Sequence, residues 1–117
     1  MRLFYGQVLE QIRVVVANKL AKSGGQWSAI FSRYNSGTYN NQWMVVDYKK
    51  FEKGTPQTDL KKGLLWVIEQ LPGYIKAHDK TDLLKEQSYW PSYNIPYFPQ
   101  IFNLSGNNEL VKKYGDW

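Results

Sequence analysis

Two short segments of this chain are apolar on both faces, and that feature limits its fold more than any other. From Thr38 to Tyr48 the residues alternate as a strand, with Asn41, Trp43 and Val45 on one face. Asn40, Gln42, Met44 and Val46 fall on the other face. From Gly63 to Leu71, the run Leu64, Leu65, Trp66, Val67 and Ile68 has no polar side before Pro72-Gly73 ends it. Strands of this kind need cover on both sides. A chain of 117 residues has room for one small domain. One covering helix cannot serve two sheet faces, so the expectation is part of a larger layered fold. Isolated, such a product is expected to be poorly stable and prone to aggregate.

The flanking sequence supplies the other elements. A helix is predicted over Gln7 to Lys22, where Val8, Ile12, Val15, Val16 and Leu20 recur at three- and four-residue spacing. Glu10, Arg13 and Lys19 are assigned to its wet side, and Gly24-Gly25 to its stop. Trp27, Ile30 and Phe31 make one short apolar turn, and Asn35-Ser36-Gly37 is a turn signal. Phe51 to Gly63 reads as a loop, Tyr74 to Ala77 as a third short strand, and Thr81 to Gln87 as a helix capped by Asp79 or Thr81. Three prolines make Trp90 to Pro99 extended coil, followed by helical turns at Ile101-Phe102 and Asn108 to Tyr114. No repeat or linker divides residues 1–117. The expected class is α+β: a helix, a thin antiparallel sheet, then short helices and coil.

Composition removes several function classes. The 43% hydrophobic and 21% charged content is that of a globular chain. Five Trp, nine Tyr and five Phe need more burial than a thin sheet offers. The net charge of +5 is scattered over Lys49, Lys50 and Lys53, Lys61-Lys62 and Lys112-Lys113, so no nucleic-acid tail is expected. A weak pull toward anionic membrane surfaces is all that this charge supports. Cysteine is absent, which removes disulfides, thiolate metal sites and a cysteine nucleophile from this chain. No run approaches the ~20 apolar residues of a membrane span. Met1 to Gly6 is too short and polar for a signal peptide, so any secretory signal is expected upstream.

Candidate chemistry is sparse. The single histidine, His78, has no G-x-S-x-G nucleophile elbow to serve and reads as a solvated loop residue. No metal or cofactor set is evident. Thr38 follows Gly37, as a self-cleaving N-terminal nucleophile would, but Gly54-Thr55 repeats the dipeptide in a plain loop. Thr38 therefore reads as a turn-to-strand junction. Asn40 and Asn41 carry more information, because buried amides must be satisfied or used. Their NH2 groups can donate to the oxyanion of an acyl-transfer intermediate, or simply tie down neighbouring backbone. Spacing alone leaves both readings open.

From Asn35 to Tyr48 the sequence resembles the phospholipase B-like family, which includes the lamina ancestor proteins. Arg13 to Asn18, Ile68 to Gly73, Tyr89 to Pro96, Ile101 to Gly106 and Tyr114 to Trp117 resemble further family blocks, in the family's order. The resemblance implies an N-terminal nucleophile hydrolase, an αββα sandwich with two stacked antiparallel sheets between helix layers. It implies a Cys that becomes the first residue of the larger chain after precursor cleavage. That Cys attacks ester or amide bonds of lipids, with its own α-amine as base. By the same resemblance Asn40 and Asn41 lie near the site, one of them aiding the oxyanion. A lysosomal or secreted glycoprotein is implied, and Asn103-Leu104-Ser105 is an agreeing acceptor sequon. The nucleophile belongs upstream, Met1 cannot replace it, and a basic residue of the site belongs past Trp117. The expectation is thus an internal fragment of such an enzyme, inactive alone, whose partners are the remainder of the enzyme and its lipid substrate. The contrasting reading is a small non-catalytic module whose aromatic and basic residues hold lipid, glycan or single-stranded nucleic acid. A fragment that regulates the full-length enzyme through open sheet edges is a third.

Overall fold

In the computed structural model, which describes residues 6–115, the two-faced segments form the middle layer. Strands β1 (Gln42–Val46), β2 (Leu65–Leu71) and β3 (Tyr74–Asp79) make an antiparallel sheet in the order β1-β2-β3. Trp43 lies opposite Ile68, and Val67 opposite His78. Pro72 and Gly73 link β2 to β3, with Gly73 at φ +74°.

One sheet face presents Trp43, Val45, Trp66, Ile68, Ile75 and Ala77 to α1 (Glu10–Leu20) and α2 (Gly24–Phe31). Ala17, Trp27 and Phe31 fill the space between, and the Phe31 ring lies 4.8 Å from Trp27 and 5.2 Å from Trp43. The opposite face presents Leu65, Val67 and Leu71 to Leu84 of α3 (Thr81–Gln87), to Trp90, and to Phe98 and Ile101 at α4 (Pro99–Leu104). Helix α5 (Asn107–Tyr114) packs on α4. Val67 and Ile68 are both 0% exposed, as a strand apolar on both faces requires. The expected single covering helix is corrected to two helices on one face and the C-terminal segments on the other. β1 is less well covered, and Met44 and Val46 remain about half exposed. The result is a thin α+β slab, 48 × 39 × 16 Å, compatible with one piece of a layered hydrolase sandwich. Its Cα radius of gyration is 15.8 Å. A compact domain of this length reaches roughly 13 Å.

Helix α1 is shorter than the expected Gln7 to Lys22, and it faces the other way. Ile12, Val15, Val16 and Leu20 are 53%, 56%, 40% and 63% exposed, whereas Glu10, Arg13 and Ala17 are buried. The cause is Arg13. Its Nη2 donates to Gln70 Oε1 at 2.9 Å, its Nε to the Val8 carbonyl at 3.1 Å, and its Nη1 to the Phe31 carbonyl. The guanidinium also stacks 4.4 Å from the Phe31 ring centroid. Burial pulls its pKa below the ordinary arginine value and nearby Glu10 partly restores it, so the group stays charged. Turning the apolar stripe inward would strand these acceptors.

Gly24-Gly25 begins α2 instead of stopping α1, and the expected single turn becomes a helix capped by Ser23 Oγ, which accepts from Gln26 N at 3.2 Å. A Cβ on Gly24 would sit 2.6 Å from Trp66 Cδ1, so these glycines let the indole lie against the helix. The strand expected from Thr38 to Tyr48 shrinks to Gln42–Val46, because Gly37 (φ +65°) and Tyr39 (φ +54°) turn the chain first. β3 runs further than Ala77 and takes in His78. The join to α3 is made by Asp79, whose Oδ2 accepts from Gly63 N at 2.7 Å and whose Oδ1 accepts from Thr81 N and Oγ1 at 3.0 and 2.6 Å. Buried Thr81 Oγ1 in turn accepts from Leu65 N at 3.1 Å.

Burial would raise the Asp79 pKa, but the bonds from Thr81 and Gly63, with His78 nearby, outweigh it and hold the carboxyl below its ordinary value. A carboxyl depressed on folding stabilises above its unfolded pKa of about 3.9, and that contribution is lost as pH falls through the lower folded value. Urea midpoints measured from pH 5 to pH 2 should therefore fall more steeply for the parent than for Asp79→Asn. Equal slopes would remove Asp79 as an acid-sensitive tie. In the same assay at neutral pH, Arg13→Met should cost about 3 kcal/mol. Ile12→Gln, on the outward face, should stay within about 0.5 kcal/mol. The reverse order would restore the helix polarity read from periodicity.

Candidate functional site

β2 carries two polar residues near the end of its apolar run. Glu69 and Gln70 are each 2% exposed and point to opposite faces of the sheet. Both must find partners, since a buried polar group left unpaired costs roughly 1–3 kcal/mol. Glu69 Oε1 accepts from Gln42 Nε2 at 2.7 Å and from Tyr97 N at 2.6 Å, while Oε2 accepts from Phe98 N at 3.0 Å. Gln42 Oε1 accepts from Trp90 Nε1 at 2.9 Å. One carboxylate thus fastens the proline-rich coil across the sheet, using both of its oxygens.

Where that coil crosses the end of β1 it leaves a pocket of about 580 Å³. Asn40, Asn41 and Gln42 line one side, and Glu69 and Gln70 the sheet side. Ser92 and Asn94 come from the coil, and Ser105 and Asn107 from the α4–α5 junction. Leu71, Ile95, Pro96 and Ile101 add an apolar wall. Among the described residues the lining holds no Lys, Arg or His. Its polar groups are neutral amides and hydroxyls around one fully engaged carboxylate. Such a surface can donate to an oxyanion or orient an amide or ester, but it offers no base to activate a nucleophile.

Asn40 and Asn41 therefore sit at one pocket, though not where the strand pattern had put them. Both precede β1 and both are exposed. Thr38 lies in the turn itself: its Oγ1 is 2.6 Å from Ser36 Oγ and accepts from Glu10 N at 3.4 Å. His78 is exposed on β3 rather than in a loop, with Nδ1 2.9 Å from the Asp79 carbonyl oxygen. Asn103 is exposed on α4, its Oδ1 accepting from Asn108 Nδ2. Among the described residues no three His, Asp or Glu side chains group as metal ligands, and no helix is long and apolar enough to cross a membrane. Half of the Tyr114–Trp117 block is described, but Asp116 and Trp117 lie outside the described residues, as do Met1 to Tyr5. Glu69, Gln70, Ser92, Asn94 and Asn107 were not singled out from sequence. A signal existed for the first two, since adjacent polar residues in a strand apolar on both faces cannot both point to water.

The family model for phospholipase B matches residues 2–117, so this chain belongs to the phospholipase B family. It is 53% identical over 112 residues to putative phospholipase B-like 2 of Homo sapiens, covering 96% of this chain and 19% of that protein. It is 48% identical over 110 residues to putative phospholipase B-like 1 of Caenorhabditis elegans, covering 94% and 19%. With phospholipase B-like protein C of Dictyostelium discoideum it shares 54% over 101 residues, covering 86% and 17%. The chain thus spans about one fifth of the length of the curated relatives it matches.

Glu69→Gln keeps the size of the side chain but brings an NH2 group against backbone N–H donors. It should cost roughly 1–3 kcal/mol. Chymotrypsin should then cut selectively after Tyr93 and Tyr97, within the freed coil. An unchanged digestion pattern would show that Glu69 does not hold that segment.

Proposed function

We propose that this chain forms an amide-lined wall of the hydrolytic site in a larger phospholipase B-like enzyme that cleaves ester, or amide, bonds of lipids. The observation that carries the reading is the pocket, in which the Asn40 and Asn41 amides share one lining with those of Gln42 and Gln70. One of the two Asn side chains donates an N–H to the oxyanion as the acyl carbonyl is attacked. The attacking Cys and its amine base belong to a part of the enzyme not present in these residues, so the chain by itself is inactive.

A larger fold is supported by what the slab leaves open. Ile12, Val15, Val16 and Leu20 form an exposed apolar stripe on α1, with Leu9 just before it, and Met44, Val46 and Phe51 are exposed as well. Trp43 Nε1 and Asp47 Oδ2 are buried without a hydrogen-bond partner among the described residues. The remainder of the enzyme is the partner that covers these surfaces. The parent protein is read as lysosomal or secreted and glycosylated at Asn103, which is exposed.

A chimera tests the catalytic reading. The residues of this chain replace the matching segment of the human relative, and turnover of a fluorogenic acyl ester and acyl amide is measured. The chimera should hydrolyse at least one substrate, and Asn40→Ala or Asn41→Ala should lower kcat by about 100- to 1000-fold. An active chimera that tolerates both substitutions would sink the proposed role of the amides. The isolated chain should show no turnover above a heat-denatured control. In a secretory host, the chimera should carry a glycan at Asn103 that Asn103→Gln removes, seen as a mass difference of the peptide containing it.

A further inference from the structure

We infer that Gln70, oriented by Arg13, is a positioning residue that sets the pose of the Asn40–Asn41 segment from inside the fold. The functional part of this inference rests on the proposed role of those amides. Gln70 Nε2 donates to two consecutive carbonyls, Thr38 O at 3.1 Å and Tyr39 O at 3.0 Å, directly before Asn40. Both amide protons of one buried side chain are thereby spent on the segment that leads into the pocket. A glutamine amide could be built either way round, but here only one orientation is allowed. Arg13 carries donors alone, so the Gln70 end that meets its Nη2 must be the oxygen, and the NH2 end must face the carbonyls.

The held segment has reason to move without that grip. Tyr39 sits at φ +54°, a left-handed conformation that is strained for a bulky L residue. Gly37, at φ +65°, passes so close to the sheet that a Cβ would lie 2.5 Å from Pro72 Cα. Asn35 ties the start of the turn to β2 and β3, its Nδ2 donating to the Leu71 carbonyl at 2.8 Å and the Tyr74 carbonyl at 3.3 Å. After Tyr39 the next fixed point is β1 at Gln42. The carbonyls held by Gln70 therefore decide how Asn40 and Asn41 enter the pocket.

Two substitutions separate positioning from bulk stability. Gln70→Glu still accepts from Arg13 but has no N–H for the carbonyls, whereas Gln70→Met loses both. Positioning predicts that both variants loosen residues 38–41, while only Gln70→Met lowers the urea midpoint strongly. The readout is 15N relaxation on the 117-residue chain, with order parameters at residues 38–41 expected to fall from about 0.85 to below about 0.6. In the unaltered chain, the Gln70 side-chain N–H protons should exchange with solvent much more slowly than those of exposed Gln11. This second measurement decides the matter even if neither variant folds. Unchanged order parameters in a folded Gln70→Glu variant, or Gln70 exchange as fast as that of Gln11, would overturn the inference. In the active chimera, Gln70→Glu should lower kcat at least tenfold and leave KM within twofold; an unchanged kcat would overturn the functional part. Neither the relaxation nor the exchange readout involves hydrolysis, so the failure of the proposed catalytic role would be seen separately, in the alanine variants.

Discussion

The structure depends on a conflict inside β2, an apolar central strand that carries Glu69 and Gln70 side by side at its buried end. Because successive side chains of a strand point to opposite faces, neither residue can share the other's partners. Each draws a different part of the chain to the sheet. Glu69 brings in Gln42 and the backbone of Tyr97 and Phe98 on one side. Gln70 brings in Arg13 and the turn at Thr38 and Tyr39 on the other. The pocket lies where these two sets of partners meet the end of the sheet.

The same conflict explains the orientation of α1. Hydrophobic burial alone would turn Ile12, Val15, Val16 and Leu20 toward the sheet, at a gain of ~1.5 kcal/mol or more for each side chain fully buried. Arg13 opposes that rotation through the partners it holds: Gln70, the Phe31 and Val8 carbonyls, and the Phe31 ring. Removing a donor of this kind leaves several buried acceptors unsatisfied at once. The outward stripe is therefore a consequence of the inner network and not a defect in packing. Relatives about five times as long as this chain contain ample sequence to cover it.

Chemically, the pocket is a surface for orientation rather than for covalent attack. Its amides and hydroxyls are neutral, and its one carboxylate is committed to the backbone it holds. Such a surface supplies hydrogen-bond donors in fixed positions and, among the described residues, no free base. Four tryptophans are described, and none projects freely into solvent: Trp27 is buried, while Trp43, Trp66 and Trp90 are half-buried against the sheet. Their first task is packing. The rings left open on the surface are tyrosines instead, with Tyr39, Tyr48 and Tyr93 the most exposed.

By itself the sequence determined the family, the α+β class, the three-strand order of events along the chain, and the need for cover on both faces of β2. These follow from local composition and alternation, and from ordered family blocks that run through most of the chain. Asn40 and Asn41 were singled out from the sequence and both line one pocket, although they precede the strand on which alternation placed them. Only the tertiary structure decided which side of α1 faces inward, why Gly24-Gly25 opens a helix, and where the strand before Gln42 breaks. Each of those outcomes turns on a partner distant in sequence: Gln70 for Arg13, Trp66 for Gly24, Pro72 for Gly37. Periodicity records which residues share a face, but not what waits opposite that face. A buried hydrogen-bond network can outweigh an apolar stripe, and its members come together only when the chain has folded.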